Sequence, residues 1–208
     1  MRSMRLWLWL IPALAYIVFA LWYTNLGGPL TDEEVSAAIE LMESNDVAPE
    51  RMAMMRKFMV EDTGNQLIIV NNLDMAKAPP ELPATGPGAN ASELMDHYME
   101  HMYPALFKRA SHPVFFGRAI AGAVDLSGIE NAEEWTQGAL FRYRSRRDLL
   151  AIALNPSFSE RHEYKMAALD KTIAYPVEAI LYPNDLRILL ALILFSLVSL
   201  VDLILYRR

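Results

Sequence analysis

The 208-residue sequence predicts an α+β fold, a β-α-β-β-α-β domain flanked by two transmembrane helices, on three observations. Long apolar runs lie near both ends of the chain. The segment between them changes from helical to β-branched patterning after Gly64, and Ser/Thr-x-x-Asp/Glu signals recur there at helix starts. Composition narrows the rest: with 53% hydrophobic residues, a net charge of −6 and a pI near 5.3, the chain is neither disordered nor a basic nucleic-acid binder. The lack of Cys removes disulfides, thiolate metal sites and a Cys nucleophile.

Residues 6–24 read LWLWLIPALAYIVFALWYT without a charge, and residues 188–206 read ILLALILFSLVSLVDLILY with Asp202 as the one ionisable group. At about 1.5 Å per residue each run is just long enough for a hydrocarbon core of roughly 30 Å. Trp7, Trp9, Trp22, Tyr23 and Tyr206 suit the two membrane interfaces. Arg2 and Arg5 precede the first run as in a signal peptide, but Trp22-Tyr23-Thr24-Asn25 stands where a small-x-small cleavage site belongs, so an uncleaved anchor is expected. By the positive-inside rule, Arg2 and Arg5 on one tail and Arg207 and Arg208 on the other place both termini in the cytoplasm. Residues 25–185, with 14 Lys and Arg against 24 Asp and Glu, are then expected in the periplasm of a bacterium, anchored to its inner membrane by two passes. Asp202, near the cytoplasmic end, is expected to snorkel or to pair with Arg207 or Arg208.

The domain organisation expected is a first span with its tail over 1–24, a helical linker region over 25–62, the α/β domain over 63–182, and the second span with its tail over 183–208. In the linker, Gly27-Gly28-Pro29 breaks the first helix and Thr31-x-x-Glu34 forms a capping box for the next, which runs through Met42. Pro49 opens a second short helix to about Val60. Gln66–Asn72 is a compact β-branched strand. A loop over 74–91 follows, too rich in Pro and Gly for either regular structure. Ser92 is read as the cap of a helix to about Arg109, with Leu94, Met95, Tyr98, Met99, Met102 and Leu106 on one face. Extended segments are expected over 113–126 and 138–143. Ser145-x-x-Asp148 and Ser157-x-x-Glu160 then start helices ending near Leu154 and Asp170, and a last strand covers 172–180. The order is that of a ferredoxin-like sandwich.

Gln66–Leu73 (QLIIVNNL), Pro113–Arg118 (PVFFGR), Leu140–Arg146 (LFRYRSR), Asn155-Pro156, and the helix carrying Arg161, His162 and Ala167-Ala168-Leu169 resemble the dimeric α/β-barrel superfamily, in its EthD-like, uncharacterised branch, over about residues 60–178. The stretch holding Asn72 and Asp74 departs from relatives, where it is apolar and basic. The resemblance implies a sheet with helices on one face and a second protomer against the other. It also implies a choice among cofactor-free monooxygenases, isomerases, haem-degrading enzymes and proteins without known activity, which fold alone does not make.

His97-x-x-Glu100-His101 matches the string of inverted zinc peptidases, with the two His one helical turn apart. A third ligand is missing, and the pair is assigned to the solvated face opposite Leu94; no metal and no cofactor is expected. His162 shares a helical face with Phe158, Met166 and Leu169, as a core histidine or as a general base. Arg118 alternates with Phe116 and Ile120; it either pairs with an interfacial acid or, together with Asn71, Tyr143 and His162, is a candidate for holding a small hydrophobic ligand with an anionic or carbonyl group. Arg142, Arg144, Arg146 and Arg147 are read as a solvated turn, and Asn90-Ala91-Ser92 is a glycosylation sequon by spelling only. The function expected is that of an accessory or assembly subunit of a membrane complex, or a dimeric domain binding a small hydrophobic molecule. The partners are the bilayer and a membrane protein or a second copy, with no nucleic acid. The alternative is a cofactor-independent monooxygenase or isomerase on a lipophilic, quinone-like substrate, with His162 and Arg118 as the catalytic pair; the sequence leaves open whether any reaction is catalysed.

Overall fold

The computed structural model describes residues 2–45 and 47–206, which form two compact units, one over 27–178 and one of the two terminal segments up to Leu26 and from Ala179. In chain order the elements are α1 (Arg2–Tyr23), α2 (Asp32–Ser44), α3 (Pro49–Val60), β1 (Leu67–Met75), α4 (Ala91–Lys108), β2 (His112–Arg118), β3 (Gln137–Tyr143), α5 (Arg146–Ala153), α6 (Pro156–Ala167), β4 (Leu169–Val177) and α7 (Leu186–Tyr206).

Between residues 27 and 178 the four strands form one sheet in the order β2-β3-β1-β4, every neighbouring pair antiparallel. Because β3 lies between β1 and β2, those two run parallel, and α4 is the crossover that their connection needs. The β-α-β-β-α-β order is therefore present, its second helical stretch divided into α5 and α6. Period-two alternation assigns the two faces. Leu67, Ile69, Asn71 and Leu73 of β1 lie beside Ala139, Phe141 and Tyr143 of β3, on the side packed against Leu94, Met102 and Leu106 of α4 and Tyr164 of α6. A third cluster, Val35, Ile39, Met42, Met59 and Leu150, joins α2 and α3 to α5, so the helices read as a linker are part of the same compact unit as the sheet.

Several boundaries move. Asn90, not Ser92, caps α4: its side chain accepts from the N–H groups of Ser92 and Glu93, and Glu93 returns the bond to the Asn90 N–H at 2.7 Å. Asn155, not Ser157, caps α6, with Pro156 at the first helical position. β2 stops at Arg118, and residues 119–136 form a hairpin loop closed by Ala119 N–H to the Thr136 carbonyl and Ala123 N–H to the Glu133 carbonyl. β4 begins at Leu169, earlier than the expected 172, because α6 has already ended at Ala167. The Thr31–Glu34 capping box, Pro49 at the start of α3 and the Ser145 cap of α5 all form as their spacing predicts.

In the terminal unit, Ser3–Tyr23 and Leu186–Tyr206 are long and apolar enough to cross a membrane. They pack antiparallel. The Arg5 guanidinium donates to both Asp202 oxygens at 2.7 and 2.8 Å, and Trp9 meets Phe195 edge-on at 6.0 Å. At the other end Arg187 donates to Asp185 and to Thr24 Oγ1 at 2.9 Å. Asp202 is thus answered from the opposite helix by Arg5; Arg207 and Arg208, the other partners expected for it, lie outside the described residues, as does the side chain of Arg2.

Candidate functional site: an open sheet face

The side chains singled out in the sequence do not converge. Asn71 is buried between sheet and helices, where its amide donates to the carbonyls of Ile69 (3.2 Å) and Ala139 (3.4 Å). Tyr143 is buried in the same layer, its phenol pushed up by burial and by neighbouring Tyr98, which burial itself pushes up to about 12. Both rings are neutral packing groups there. Arg118 is exposed at the end of edge strand β2, whereas His162 is exposed on α6, which leads into β4 at the opposite edge. His162 is therefore not a core histidine. Its ring leans edge-on against Tyr98 at 6.1 Å, and burial, then Lys165 and Arg51, hold its pKa below the usual imidazole range.

The His97 pair also sits differently from its expected solvated face. His97 packs against the Tyr164 ring at 4.5 Å, and Arg161 Nη1 donates to its Nε2 at 3.3 Å. Its Nδ1 lies 3.5 Å from the Glu100 carboxylate. A guanidinium only donates, so in that contact Nε2 is the acceptor. Among the described residues His101 Nδ1 is buried without a hydrogen-bond partner, and burial followed by Arg161 lowers the pKa of that ring.

The arginine run is structural rather than solvated. Arg142 is 1% exposed, donating through Nε to Gln66 Oε1 at 2.8 Å and through Nη1 to the Ala110 carbonyl at 2.5 Å. Arg144 holds Asp148 in a two-pronged pair at 2.9 Å. Arg146 lies over the Phe58 ring, donates to the Phe58 carbonyl, and bridges Asp62 (3.4 Å) and Glu178 (2.9 Å). Arg147 grips Glu34 at 2.5 and 2.8 Å and reaches the Pro29 carbonyl at 3.0 Å. Arg146 and Arg147 thereby clip α2 and α3 to the start of α5. The Glu34 carboxyl is held down to about 2, chiefly by Arg147 and then by the Thr31 N–H.

The second face of the sheet is buried at one end, at Ile68 and Arg142, and open over the rest. Val70 of β1, Leu140 of β3, and Ile173 and Tyr175 of β4 share that face by register, and Phe115 joins them across the bulge in β2. The Phe115 ring lies over Gly117 and beside Gly138: a Cβ on Gly117 would come within 2.7 Å of it, so the absence of a side chain there seats the ring flat on the sheet. Phe115, Ile173 and Tyr175 keep 53%, 40% and 49% of their surface exposed. An apolar patch of this kind, continuous across strands, marks an interaction surface.

No protein-family model matches the sequence, and no curated protein matches it. Among solved structures, a protein of unknown function from Rhodopseudomonas palustris is similar at 16% identity over 65% of this chain and 95% of that one, with a TM-score of 0.51. A dimeric ferredoxin-like protein of unknown function from Bacteroides fragilis (10%, 55% and 96%, 0.33) and SnoaB, a cofactor-independent oxygenase from Streptomyces nogalater (10%, 58% and 99%, 0.36), are more remote. The domain has a ferredoxin-like fold. Identities this low speak for the fold alone.

Proposed function

We propose that this chain is a membrane-anchored binding protein, an accessory or assembly subunit whose ferredoxin-like domain contacts its partner through the open sheet face, with a second copy of the chain as the first occupant. One observation carries the reading. The helix-side layer, where a ligand would have to enter, is occupied by Leu67, Leu73, Leu94, Tyr98 and Tyr143, while the opposite face leaves Phe115, Ile173 and Tyr175 uncovered. Closing that face against a copy of itself is the assembly of the dimeric α/β-barrel superfamily, and the reading places the chain in its EthD-like branch. In the same reading α1 and α7 span a bacterial inner membrane. The Arg5–Asp202 pair sets the start of α1 level with the end of α7, which supports a common side for both termini, and the positive-inside rule makes that side the cytoplasm and the domain's side the periplasm. A monooxygenase or isomerase would need His162 and Arg118 in one cavity, whereas Arg118 is exposed at the end of edge strand β2 and His162 is exposed on α6 against Tyr98.

The test is purification of the full chain from membranes in mild detergent, with its mass measured by light scattering. A dimer or a stoichiometric larger complex is expected, and Phe115→Glu should break it to a single protomer. A wild-type protein that is monomeric and brings nothing with it contradicts the proposal.

A further inference from the structure

The chain enters the compact unit of the sheet at Gly27 and leaves it at Glu178, and beyond each end it runs on into one of the two long apolar helices. Both ends are fastened at one place, the start of α5. On the entry side, Arg147 donates to the Gly28 and Pro29 carbonyls at 3.3 and 3.0 Å while it holds Glu34. On the exit side, Glu178 accepts from Arg146 at 2.9 Å and from Thr63 Oγ1 at 2.7 Å. The turn after α3 joins the two sides. There the buried Asp62 carboxylate accepts from the Leu30 N–H at 2.9 Å and the Gly64 N–H at 3.0 Å, and it lies 3.4 Å from Arg146 Nε. Gly64 has φ +75°, and a Cβ on it would stand 2.8 Å from the Gly28 carbonyl carbon and the Pro29 nitrogen, so turn and entry segment touch backbone to backbone. Removing one member of a buried ion pair strands the other charge, which ties Asp62 and Arg146 to a common fate.

Glu178 follows directly on β4, an edge strand whose last pair with β1 is Val177 to Ile68. Edge strands open first from their ends, and the exit fastening stands at that end. Tyr175 and Ile173 of the open sheet face lie three and five residues before it.

We propose that Asp62, Arg146, Arg147 and Glu178 form a latch that couples the entry and exit segments of the domain, so that loosening either segment loosens the other and frees the end of β4. The latch itself does not depend on what the open sheet face binds. Its consequence for binding, that an open latch withdraws Tyr175 and Ile173 from a partner, rests on the role proposed for that face above. Coupling between two sites is reciprocal. That property separates a latch from a set of ordinary ion pairs, each of which would affect only its own surroundings.

Hydrogen exchange of the detergent-solubilised full chain tests the latch, read by mass spectrometry in peptides that contain Leu30, residues 173–177 and, as a reference, residues 139–141 of β3. Arg147→Gln alters only the entry side, yet it should speed exchange over 173–177 by at least about fivefold. Glu178→Gln alters only the exit side and should speed exchange at Leu30 by a similar factor, with β3 unchanged in both variants. Wild-type rates on the far side, a far-side response in one variant alone, or an equal acceleration of β3 would each overturn the latch. Phe115→Glu acts at the sheet face and should leave the Leu30 rate as in wild type, so a failure of the face and a failure of the latch are read separately. In native membranes, Glu178→Gln should also raise the maleimide labelling of Ile173→Cys. Unchanged labelling beside accelerated exchange would overturn the consequence for binding.

Discussion

Glu34 shows how one side chain can serve two levels of structure. It closes the capping box of α2 by accepting from the Thr31 N–H at 2.8 Å, and it is the acid that Arg147 grips from α5. Its carboxyl is held to about 2, below the ordinary value of 4.5 that it regains on unfolding. A depressed carboxyl contributes stability that is present in full above about pH 4.5 and drains away as the pH falls toward 2. Both partners keep about a third of their side-chain surface in water, so the contribution is at most about 1 kcal/mol. Comparing thermal melts at pH 6 and pH 3 for wild type and Glu34→Gln should show a smaller acid-induced loss in the variant; equal losses would mean that the pair does not hold the clip. Thr31-x-x-Glu34 is legible in the sequence as a cap. Its second role is not, because Arg147 is 113 residues away and nothing local distinguishes a solvated arginine from one that docks another helix.

At the scale of elements, what the sequence reveals follows the range of the interaction. Pro49 and Ser145 act within a few residues, and α3 and α5 begin where they indicate. Ser92 and Ser157 fail as caps for a reason equally local: Asn90 and Asn155 stand two residues earlier, and an Asn side chain accepts from the next turn at least as well as Ser. Asn90→Ala should therefore cost about 1 kcal/mol in chemical denaturation while Ser92→Ala stays near zero; the reverse ranking would return the cap to Ser92. The length of β2 is not legible, since residues 119–126 read as extended but leave the ladder after the Arg118–Gln137 pair, with Ala119 and Ala123 bonding instead to Thr136 and Glu133 across the hairpin loop. The packing stripe of α4 faces away from His97 and so predicts a solvated ring, yet α6 approaches from that side and supplies Tyr164 and Arg161. Helical periodicity shows one buried face and is silent about a second contact made by polar groups.

At the scale of the whole molecule, the β-α-β-β-α-β order and the two long apolar helices are legible in the sequence, and the structure contains both. The candidate site was only half legible. Phe115, Tyr175 and their neighbours lie on four strands that become one surface only through the register, which also separates Arg118, at the end of an edge strand, from Asn71 and Tyr143 in the helix-side layer, while His162 stands on α6. The absence of Cys makes the arrangement directly testable, because a single introduced thiol is the only one present. Asp96→Cys, at an exposed position of α4, should react with a membrane-impermeant maleimide in intact cells whose outer barrier has been opened. Labelling only after lysis of the inner membrane would put the domain on the cytoplasmic side. The most direct measurement compares the labelling rates of Ile173→Cys and Asp96→Cys in native membranes. If the open sheet face is the contact surface, the thiol at position 173 is protected there at least about tenfold relative to that at 96, and Phe115→Glu removes the protection. Equal rates at the two positions in the wild-type background would contradict the account.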